Sequence, residues 1–489
     1  NTIRFIYNRY ETLSSLLNKY DIQSISLLKY DDDLIVPKDY KDNSRKMNSQ
    51  SRNSFILRQI LIYLKADHLI IDVDSNTPEG CINNNDSKIE KVSFVRKNAV
   101  YLSKIMKQLN FDSNPVIIST RMTRLQELLL QLSFYSLPYI LSFKDCEDIG
   151  ENAVKRDILR SLMTEGGQKN GFEDIMVNLI SRMIPRSYLE EYDCLQEVAI
   201  NSHLPKKPKF IFTSNSFLVD DVFKLWIATN VEKGTKYFVG QHGNNYGESK
   251  YDSPHIEEIT ADKLITWGWK FNSKHVKGFI LNKYYNKFKY KENYSKSKKL
   301  LFIETGPRGK KHIEDISIEY EQYLSSKKEF YINLDIKVRL IVRPAAIVVA
   351  NHMLGEIRQW SEMSLEIEIE TASIRIDKLV NDSNLVVCFY QGTSLLELLA
   401  ANYPVIGYLD RYDSLNAESK QYYDLLVEAG ICHIDVYSMT MKINSVWNNV
   451  STWWYSEKVQ KARNEFCSNY ARTPISPVRD MRKLILENI

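Results

Sequence analysis

Short β-branched runs alternate with amphipathic helical stretches along most of this sequence, and that alternation limits the fold more than any other feature. Apolar residues between the runs recur at helical spacing, as in 123–132 and 219–229. Strands that alternate with helices are typical of parallel sheets joined by right-handed crossovers. The sequence therefore predicts an α/β protein built from Rossmann-like, doubly wound parallel sheets. The predicted strands are Ala66–Asp72, Pro115–Ser119, Tyr139–Phe143, Lys209–Thr213, Tyr237–Gln241, Leu264–Trp267, Leu300–Glu304, Lys337–Val342, Leu365–Ile369, Leu385–Phe389 and Val405–Tyr408.

The chain length predicts two domains that face a central cleft, because 489 residues are too many for one hydrophobic core. The boundary is placed near residue 290, inside a Lys- and Tyr-rich run at 283–299. A solvated linker is favoured for this run over an RNA-binding or membrane-binding stripe, since it has little apolar periodicity. The first domain then covers 1–290 with helical elaborations, the second covers 291–475, and a helix within 476–489 crosses back to the first domain.

Composition excludes several classes of protein. The net charge is 65 − 61 = +4, which gives little reason to expect a nucleic-acid partner. The six cysteines are far apart and form no CxxC pair, which argues against a zinc site and a disulfide framework and fits a reducing compartment. No apolar run has transmembrane length. A cytoplasmic protein is expected, with peripheral association at the inner face of the membrane left open.

The stretch Tyr237–Gly247 ends an apolar run in two glycines that flank a Gln-His pair. In open α/β sheets, such a turn delivers side chains to the crevice at the carboxyl edge. His242 is therefore predicted to act in a site, in preference to a hydrogen-bonding role within a packed turn. Binding roles are predicted for its neighbours Gln241, Gly243 and Asn244.

Two adjacent carboxylates, Asp220 and Asp221, follow the strand Lys209–Thr213 and open the next helix. That position predicts that they lie near the same cleft, where a carboxylate can act as a base. The alternative is ordinary N-capping, because Asp is a preferred residue at helix starts. The sequence leaves both roles open.

A second turn with ligand-binding character follows the buried run Leu385–Phe389. Gly392 breaks this run, and Thr393, Ser394 and Glu397 open a helix behind it. Either hydroxyl residue is predicted as the N-cap, with Glu397 as its capping-box partner. Free N–H groups, the helix dipole and two hydroxyls together form an anion site, whereas mutual capping is the alternative without a ligand.

Two arginines stand at the tips of other strands in the second domain. Arg308 follows a Gly-Pro turn after Leu300–Glu304, and Arg343 precedes a proline that holds it in an extended conformation. Arginine binds phosphate and carboxylate groups in a bidentate manner. Each arginine alone could be a solvated loop residue. These two strand tips and the Gly392 turn together make three in one domain, which favours a phosphate-bearing ligand.

The combined motifs resemble a group of bacterial surface-glycan transferases associated with nonulosonic-acid gene clusters. The resemblance rests on Thr213-Ser214-Asn215, on Asp220-Asp221-x-Phe223-Lys224-x-Trp226, and on Gln241-His242-Gly243-x-x-Tyr246-Gly247. It covers roughly residues 205–410 and extends to enzymes that use CMP-activated Kdo. In that wider set the tip corresponding to Arg343-Pro344 is a His-Pro that contacts the CMP phosphate. The departure keeps a cation but weakens the case for a CMP-linked donor.

The resemblance implies a metal-independent glycosyltransferase of the GT-B type with no cofactor beyond its nucleotide sugar. Its donor would be a CMP-linked 2-keto-3-deoxy acid, a nonulosonate or Kdo, held by the second domain. The first domain would hold a glycan or lipid-linked glycan acceptor beside His242. Glu248, Asp252 and His255 are interpreted as a solvated loop instead of a metal cluster, because their spacing matches no standard signature. A CDP-glycerol-type polyol-phosphate transferase and a non-catalytic polysaccharide-export scaffold remain as alternatives.

Overall fold

The computed structural model describes residues 2–30, 35–46, 49–74, 112–139, 143, 146, 150–164, 171–218, 220–251, 255–281, 285–291, 298–304, 317–335, 338–345, 354–371 and 373–489. The strands are β1 (Ile25–Leu28), β2 (Ile70–Val73), β3 (Val116–Ile118), β4 (Phe210–Thr213), β5 (Lys236–Gly240), β6 (Lys263–Thr266), β7 (His275–Lys277), β8 (Lys299–Ile303), β9 (Arg339–Arg343), β10 (Glu368–Ile369), β11 (Leu385–Cys388), β12 (Val405–Tyr408) and β13 (Cys432–His433).

The α-helices in the same ranges surround these strands. They are α1 (Thr2–Lys19), α2 (Tyr40–Lys46), α3 (Gln50–Tyr63), α4 (Arg124–Ser133), α5 (Ala153–Thr164), α6 (Phe172–Met183), α7 (Tyr192–Ile200), α8 (Asp221–Glu232), α9 (Ile256–Thr260), α10 (Ser317–Asn333), α11 (Leu354–Met363), α12 (Ile376–Asn381), α13 (Thr393–Ala400), α14 (Ala417–Glu428), α15 (Val436–Val446), α16 (Val450–Trp454), α17 (Glu457–Tyr470) and α18 (Pro477–Leu486).

Two parallel sheets form the body of the protein. One has five strands in the order β3-β4-β5-β6-β7, and the other has six in the order β10-β9-β8-β11-β12-β13. Every pairing in both sheets is parallel. Successive residues of β8 enter different cores, with Leu301 and Ile303 in one and Leu300 and Phe302 in the other. Both faces are therefore covered, and the predicted fold class of two doubly wound parallel sheets is confirmed.

The strand order of the second sheet identifies where a ligand would bind. Numbered from β8 as the first strand, the order is 3-2-1-4-5-6, the arrangement of dinucleotide-binding α/β domains. The order reverses between β8 and β11, which are direct neighbours. Ligands of open α/β sheets bind beyond the carboxyl ends of the strands at this switch point. The turn that follows β11, at Gln391 and Gly392, lies at that position.

The C-terminal segment packs against the first sheet. Met481 and Ile485 of α18 are fully buried in the same core as Ile117 and Phe210. Ahead of α18, the backbone of Arg472 exchanges hydrogen bonds with the first lobe. The division near residue 290 stays a prediction, but these contacts join the chain end to the first sheet.

The N-terminal region has a small core of its own. Strands β1 and β2 form a two-stranded parallel sheet that packs with α1, α3 and α6. The predicted strand Ala66–Asp72 begins later than expected, because 67–69 form a 3₁₀ turn before β2. Residues 139 and 143 of another predicted strand are not extended into a sheet, and 140–142 lie outside the described residues.

The cysteines depart from the sequence prediction. Cys146 and Cys194 form a disulfide, with their Cα atoms 6.0 Å apart across a sequence separation of 48 residues. Spacing along the chain could not show this, because the fold brings distant residues together at the start of α7. Cys388, Cys432 and Cys467 are buried thiols. Separately, none of the helices in the described ranges is both long and apolar enough to cross a bilayer.

Candidate active site between the two lobes

The turn after β5 and the turn after β11 touch each other. The backbone N–H of Asn244 donates to Oγ1 of Thr393 at 3.2 Å, and that hydroxyl donates to Oδ1 of Asn244 at 3.2 Å. The Asn244 amide also donates to the backbone oxygen of Gln391 at 3.1 Å. Asn244 and Thr393, both predicted as binding residues, therefore meet where the carboxyl edges of the two sheets face each other.

A second set of hydrogen bonds continues this contact behind the turns. The backbone oxygen of Glu248 accepts from the Asn416 backbone N–H at 2.8 Å and from the Ser419 hydroxyl at 2.9 Å. The Lys250 backbone N–H donates to the Ser414 oxygen. The loop that carries His242 is consequently held by both lobes.

The side chain of His242 begins a chain of hydrogen bonds into the first lobe. Nδ1 of His242 lies 3.0 Å from the Tyr246 hydroxyl, which donates to Oε1 of Glu257 at 2.7 Å. A phenol has one proton to donate, and Tyr246 donates it to Glu257, so its oxygen accepts a hydrogen bond from Nδ1–H of His242. This arrangement fixes the tautomer of the imidazole through a buried carboxylate, as a positioned catalytic base requires.

The surroundings of His242 favour its neutral form and also contain groups that can stabilise the charged imidazolium. Burial is the main cause that lowers the pKa of His242, and the nearby charges of Arg121 and His255 lower it further. The Glu257 carboxylate and a hydrogen bond to the Ser214 carbonyl act in the opposite direction. His242 is therefore neutral at rest, and acceptors are in place for the second N–H that it would gain on taking up a proton.

Arg121 is a residue of this edge that the sequence interpretation missed. It follows β3 in a short loop where Ser119 and Arg121 both have left-handed backbones, with φ of 51° and 66°. Non-glycine residues rarely adopt this conformation, and such strain concentrates at functional sites. The loop is fixed because Thr120 donates through its N–H and hydroxyl to Glu127. The only sequence signal for Arg121 was its position just after a predicted strand, the same kind of position as Arg308 and Arg343 occupy.

Gln241 holds the turn in shape. Its Oε1 accepts from the Trp267 backbone N–H and the Trp269 indole, both at 2.9 Å, and its Nε2 donates to the Gly243 oxygen at 2.8 Å. The side chain is almost fully buried. These bonds position the neighbours of His242, and direct ligand binding by Gln241 or Gly243 stays a prediction.

Asp220 and Asp221 have distinct surroundings. Asp220 is the N-cap of α8 and accepts from the Phe223 N–H at 2.9 Å. The buried Asp221 carboxylate accepts from the Tyr40 N–H, the Ser187 and Tyr188 hydroxyls, and the Lys224 ammonium. Asp221 therefore links α8 to the N-terminal region, which is a structural task. The catalytic role predicted for either carboxylate stays a prediction.

Replacing Asp220 separates capping from chemistry. Asp220→Ala is expected to lower stability by about 1 kcal/mol because it removes an N-cap, whereas Asp220→Asn keeps the cap and should leave stability nearly unchanged. Chemical unfolding of the two variants measures this difference. Equal losses in both variants would contradict the capping role, and loss of turnover in a stable Asp220→Asn protein would support the catalytic role.

The turn after β11 differs in detail from the prediction. Gly392, not Thr393 or Ser394, is the N-cap of α13, and no side chain caps this helix. The predicted capping box with Glu397 is therefore wrong, because the Thr393 hydroxyl is bound to Asn244 across the cleft. Ser394 Oγ lies 3.4 Å from the Tyr390 hydroxyl, and Glu397 is buried within α13.

Gly392 is needed for the space it leaves and not for its backbone conformation. Its backbone is extended, with φ of −154°, so no left-handed conformation demands a glycine. A Cβ at this position would instead lie 2.0 Å from the Tyr390 ring. The glycine therefore provides space beside an aromatic side chain at the start of α13.

The two predicted arginine tips have different outcomes. Arg343 ends β9, where Nη1 is 3.2 Å from Oε1 of Glu370 and donates to the Ile374 oxygen at 3.2 Å. Burial lowers the pKa of Arg343, and the Glu370 carboxylate raises it. Because Nη1 already contacts Glu370 and Ile374, part of the guanidinium is occupied. Phosphate binding by Arg343 stays a prediction. Arg308 lies outside the described residues.

Glu248 is not the solvated loop residue that the sequence suggested. It is 1% exposed at the contact between the lobes, and burial raises its pKa to about 7. Among the residues that the structure describes, no group of three or more His, Cys, Asp or Glu side chains could hold a metal ion.

The paired parallel sheets and the polar contact at their facing edges define a two-lobed α/β protein. The chain belongs to the LIC12162 family of transferases, whose family model matches residues 1–485. It is therefore a transferase. No curated protein matches this sequence.

Several solved structures share a weak overall likeness with this chain. Anabaena HepE in complex with UDP and glucose is 10% identical, with coverage of 69% of this chain and 95% of that one and a TM-score of 0.38. Sucrose-phosphate synthase from Thermosynechococcus elongatus is 12% identical, with coverage of 62% and 80% and a TM-score of 0.38. The wall teichoic acid polymerase TagF is 11% identical, with coverage of 62% and 76% and a TM-score of 0.33. Likeness this weak decides neither donor nor acceptor.

Proposed function

We propose that this transferase is a glycosyltransferase that binds a nucleotide-activated sugar on its second lobe and transfers the sugar to a glycan acceptor on its first lobe. One observation supports this most strongly. The His242 turn contacts the Gly392–Thr393 turn at the switch point of a sheet with dinucleotide-binding strand order. This contact supports a base on one lobe that would act beside a nucleotide site on the other.

Each side of the contact supplies a different part of the chemistry. The start of α13, with its helix dipole and the hydroxyls of Thr393 and Ser394, would stabilise the departing phosphate. Arg343 would add a cation, which makes a divalent metal unnecessary. His242, neutral and held by Tyr246, would take the proton from the acceptor hydroxyl. We propose Asp220 as the catalytic carboxylate nearest to the edge of the first sheet that carries His242.

The donor proposed is a CMP-linked 2-keto-3-deoxy acid, a nonulosonate or Kdo, and the acceptor a glycan or lipid-linked glycan at the inner face of the membrane. This choice of donor and acceptor rests on the sequence motifs that resemble bacterial surface-glycan transferases. The cations Arg121 and Arg343 fit a donor that bears a carboxylate as well as a phosphate. A glycosyl transfer of this kind breaks an anomeric C–O bond, and the electrons of that bond leave with the nucleotide phosphate.

Thermal shifts with CMP, CDP, CDP-glycerol, UDP and GDP test the donor class. We expect CMP to raise the unfolding temperature most, because a ligand that binds only the folded state stabilises it by about 2.7 kcal/mol at about 100 times its Kd. Arg343→Ala should abolish the CMP shift, whereas Arg339→Ala on the same strand should not, since its exposed side chain pairs with Glu368. An unchanged shift in Arg343→Ala would remove Arg343 from the site. Stabilisation by CDP-glycerol alone would indicate a polyol-phosphate transferase, and by no nucleotide a non-catalytic scaffold.

A further inference from the structure

A small pocket lies between the lobes beside the turn after β11. Its volume is about 20 Å³, enough for one water-sized group, and it opens to solvent. Segments from both lobes build it, so it exists only while the lobes are in contact. It is lined by Asn245, Glu248, Ser249, Gln391, Arg411, Ser414 and Leu415.

One buried oxygen in the pocket wall, Oε1 of Gln391, has no hydrogen-bond donor, although its side chain is only 5% exposed. Glu248 beside it is 1% exposed and receives a hydrogen bond from the buried Tyr423 hydroxyl. Oε2 of Glu248 accepts from the Asn245 N–H at 3.2 Å and from Nε2 of Gln391 at 3.4 Å. A buried acceptor without a donor is unfavourable, so Oε1 of Gln391 indicates that a donor group belongs in this pocket.

A cation stands at the same pocket. Arg411 follows β12 in the loop at 409–415, and its guanidinium forms no hydrogen bond or ion pair in the described structure, in contrast to Arg343. Gln391 couples this loop to the switch point, because its N–H donates to Oδ1 of Asp410 at 2.7 Å. An unpaired, partly exposed guanidinium beside the orphaned Gln391 oxygen is suited to a ligand that carries both an anion and a hydroxyl.

We infer that this pocket binds one hydroxyl or amino group of a polyhydroxylated anion, whose carboxylate or phosphate pairs with Arg411. The inference rests on the proposed function for the identity of that anion, the donor, and assigns Glu248, Gln391 and Arg411 to its recognition. A hydroxyl suits the pocket because it donates to one oxygen and can accept from the carboxyl group of Glu248 when that group is protonated. The anion comes either from the carboxylate of a sugar acid or from a phosphate.

Titration calorimetry on the full chain distinguishes these sources with three probes. N-acetylneuraminate supplies a hydroxylated carboxylate, its methyl ester removes only the charge, and inorganic phosphate supplies an anion alone. We expect the acid to bind at least about tenfold more tightly than the ester, since a charge-assisted hydrogen bond of about 1.5–3 kcal/mol corresponds to that ratio or more. Tighter binding of inorganic phosphate than of the acid would identify phosphate as the anion that Arg411 binds.

Variants show whether the preference comes from this pocket. Arg411→Ala should remove the difference between acid and ester, and Arg411→Lys should restore part of it. Arg358→Ala, on the exposed face of α11, is the matched control and should change nothing. Equal affinities of acid and ester in the unaltered protein, or an unchanged preference in Arg411→Ala, would overturn the inference. The CMP shift is measured separately, so loss of nucleotide binding with an intact acid preference would instead refute the proposed function.

Discussion

Replacing His242 with alanine is expected to lower kcat/KM by about 10²–10⁴, which corresponds to about 3–5 kcal/mol of transition-state stabilisation. The reason is geometric. His242 lies two residues before Asn244, which contacts Thr393, and the chain through Tyr246 to Glu257 holds the imidazole in one tautomer. Alanine removes the proton acceptor and leaves the Tyr246 hydroxyl bound only to Glu257. Turnover of the donor identified by the nucleotide panel is the measurement.

Two further variants separate the base from its support. Tyr246→Phe removes only the hydroxyl between His242 and Glu257, so it should reduce kcat with little change in KM and alter the acid limb of the pH profile. That limb should lie below pH 6.5, the ordinary value, because burial lowers the pKa of His242 and activity requires its neutral form. His68→Ala, at an exposed position in the N-terminal region, is the control. Full activity of a folded His242→Ala protein would exclude His242 as the base.

The sheets could be predicted because their strands are buried on both faces and therefore appear as continuous apolar runs. β5, β8 and β11 were all expected within a residue or two of their observed bounds. Strands β7 and β13 were missed because they have only two or three residues and show no apolar run, whereas β10 lies at the end of the predicted strand 365–369.

The candidate site was predictable only where a strand ends in an unusual turn. Turns with glycines pointed to His242 and Thr393, whose neighbours Asn244 and Gln391 proved to be partners across the cleft. Arg121 and Arg411 were missed because their loops carry no glycine signal, and an isolated arginine has no pattern of its own. The sequence also could not show that Glu248 is buried, since its burial depends on side chains from the other lobe.

Glu248→Gln is expected to stabilise the protein at and above neutral pH. Burial raises the pKa of Glu248 from an ordinary 4.5 to about 7, although the Asn245 N–H, the Gln391 amide and the Tyr423 hydroxyl each lower it. The folded state therefore retains a proton that the unfolded chain has already lost. Stability from this group is fully present below pH 4.5 and declines as pH rises to about 7. The difference of 2.5 pH units corresponds to about 3 kcal/mol at ~1.4 kcal/mol per unit.

Glutamine keeps the shape of the side chain but carries no charge at any pH, so it should remove this decline. We expect the unfolding temperatures of the two proteins to agree near pH 4.5 and to separate steadily up to about pH 7, with the variant more stable by up to about 3 kcal/mol. Calorimetric scans across this range test the expectation. Glu487→Gln, an exposed carboxylate at the end of α18, is the matched control and should follow the unaltered protein. A variant that becomes less stable than the unaltered protein, by a margin that grows as pH rises, would show that the folded state stabilises the charged Glu248 carboxylate instead.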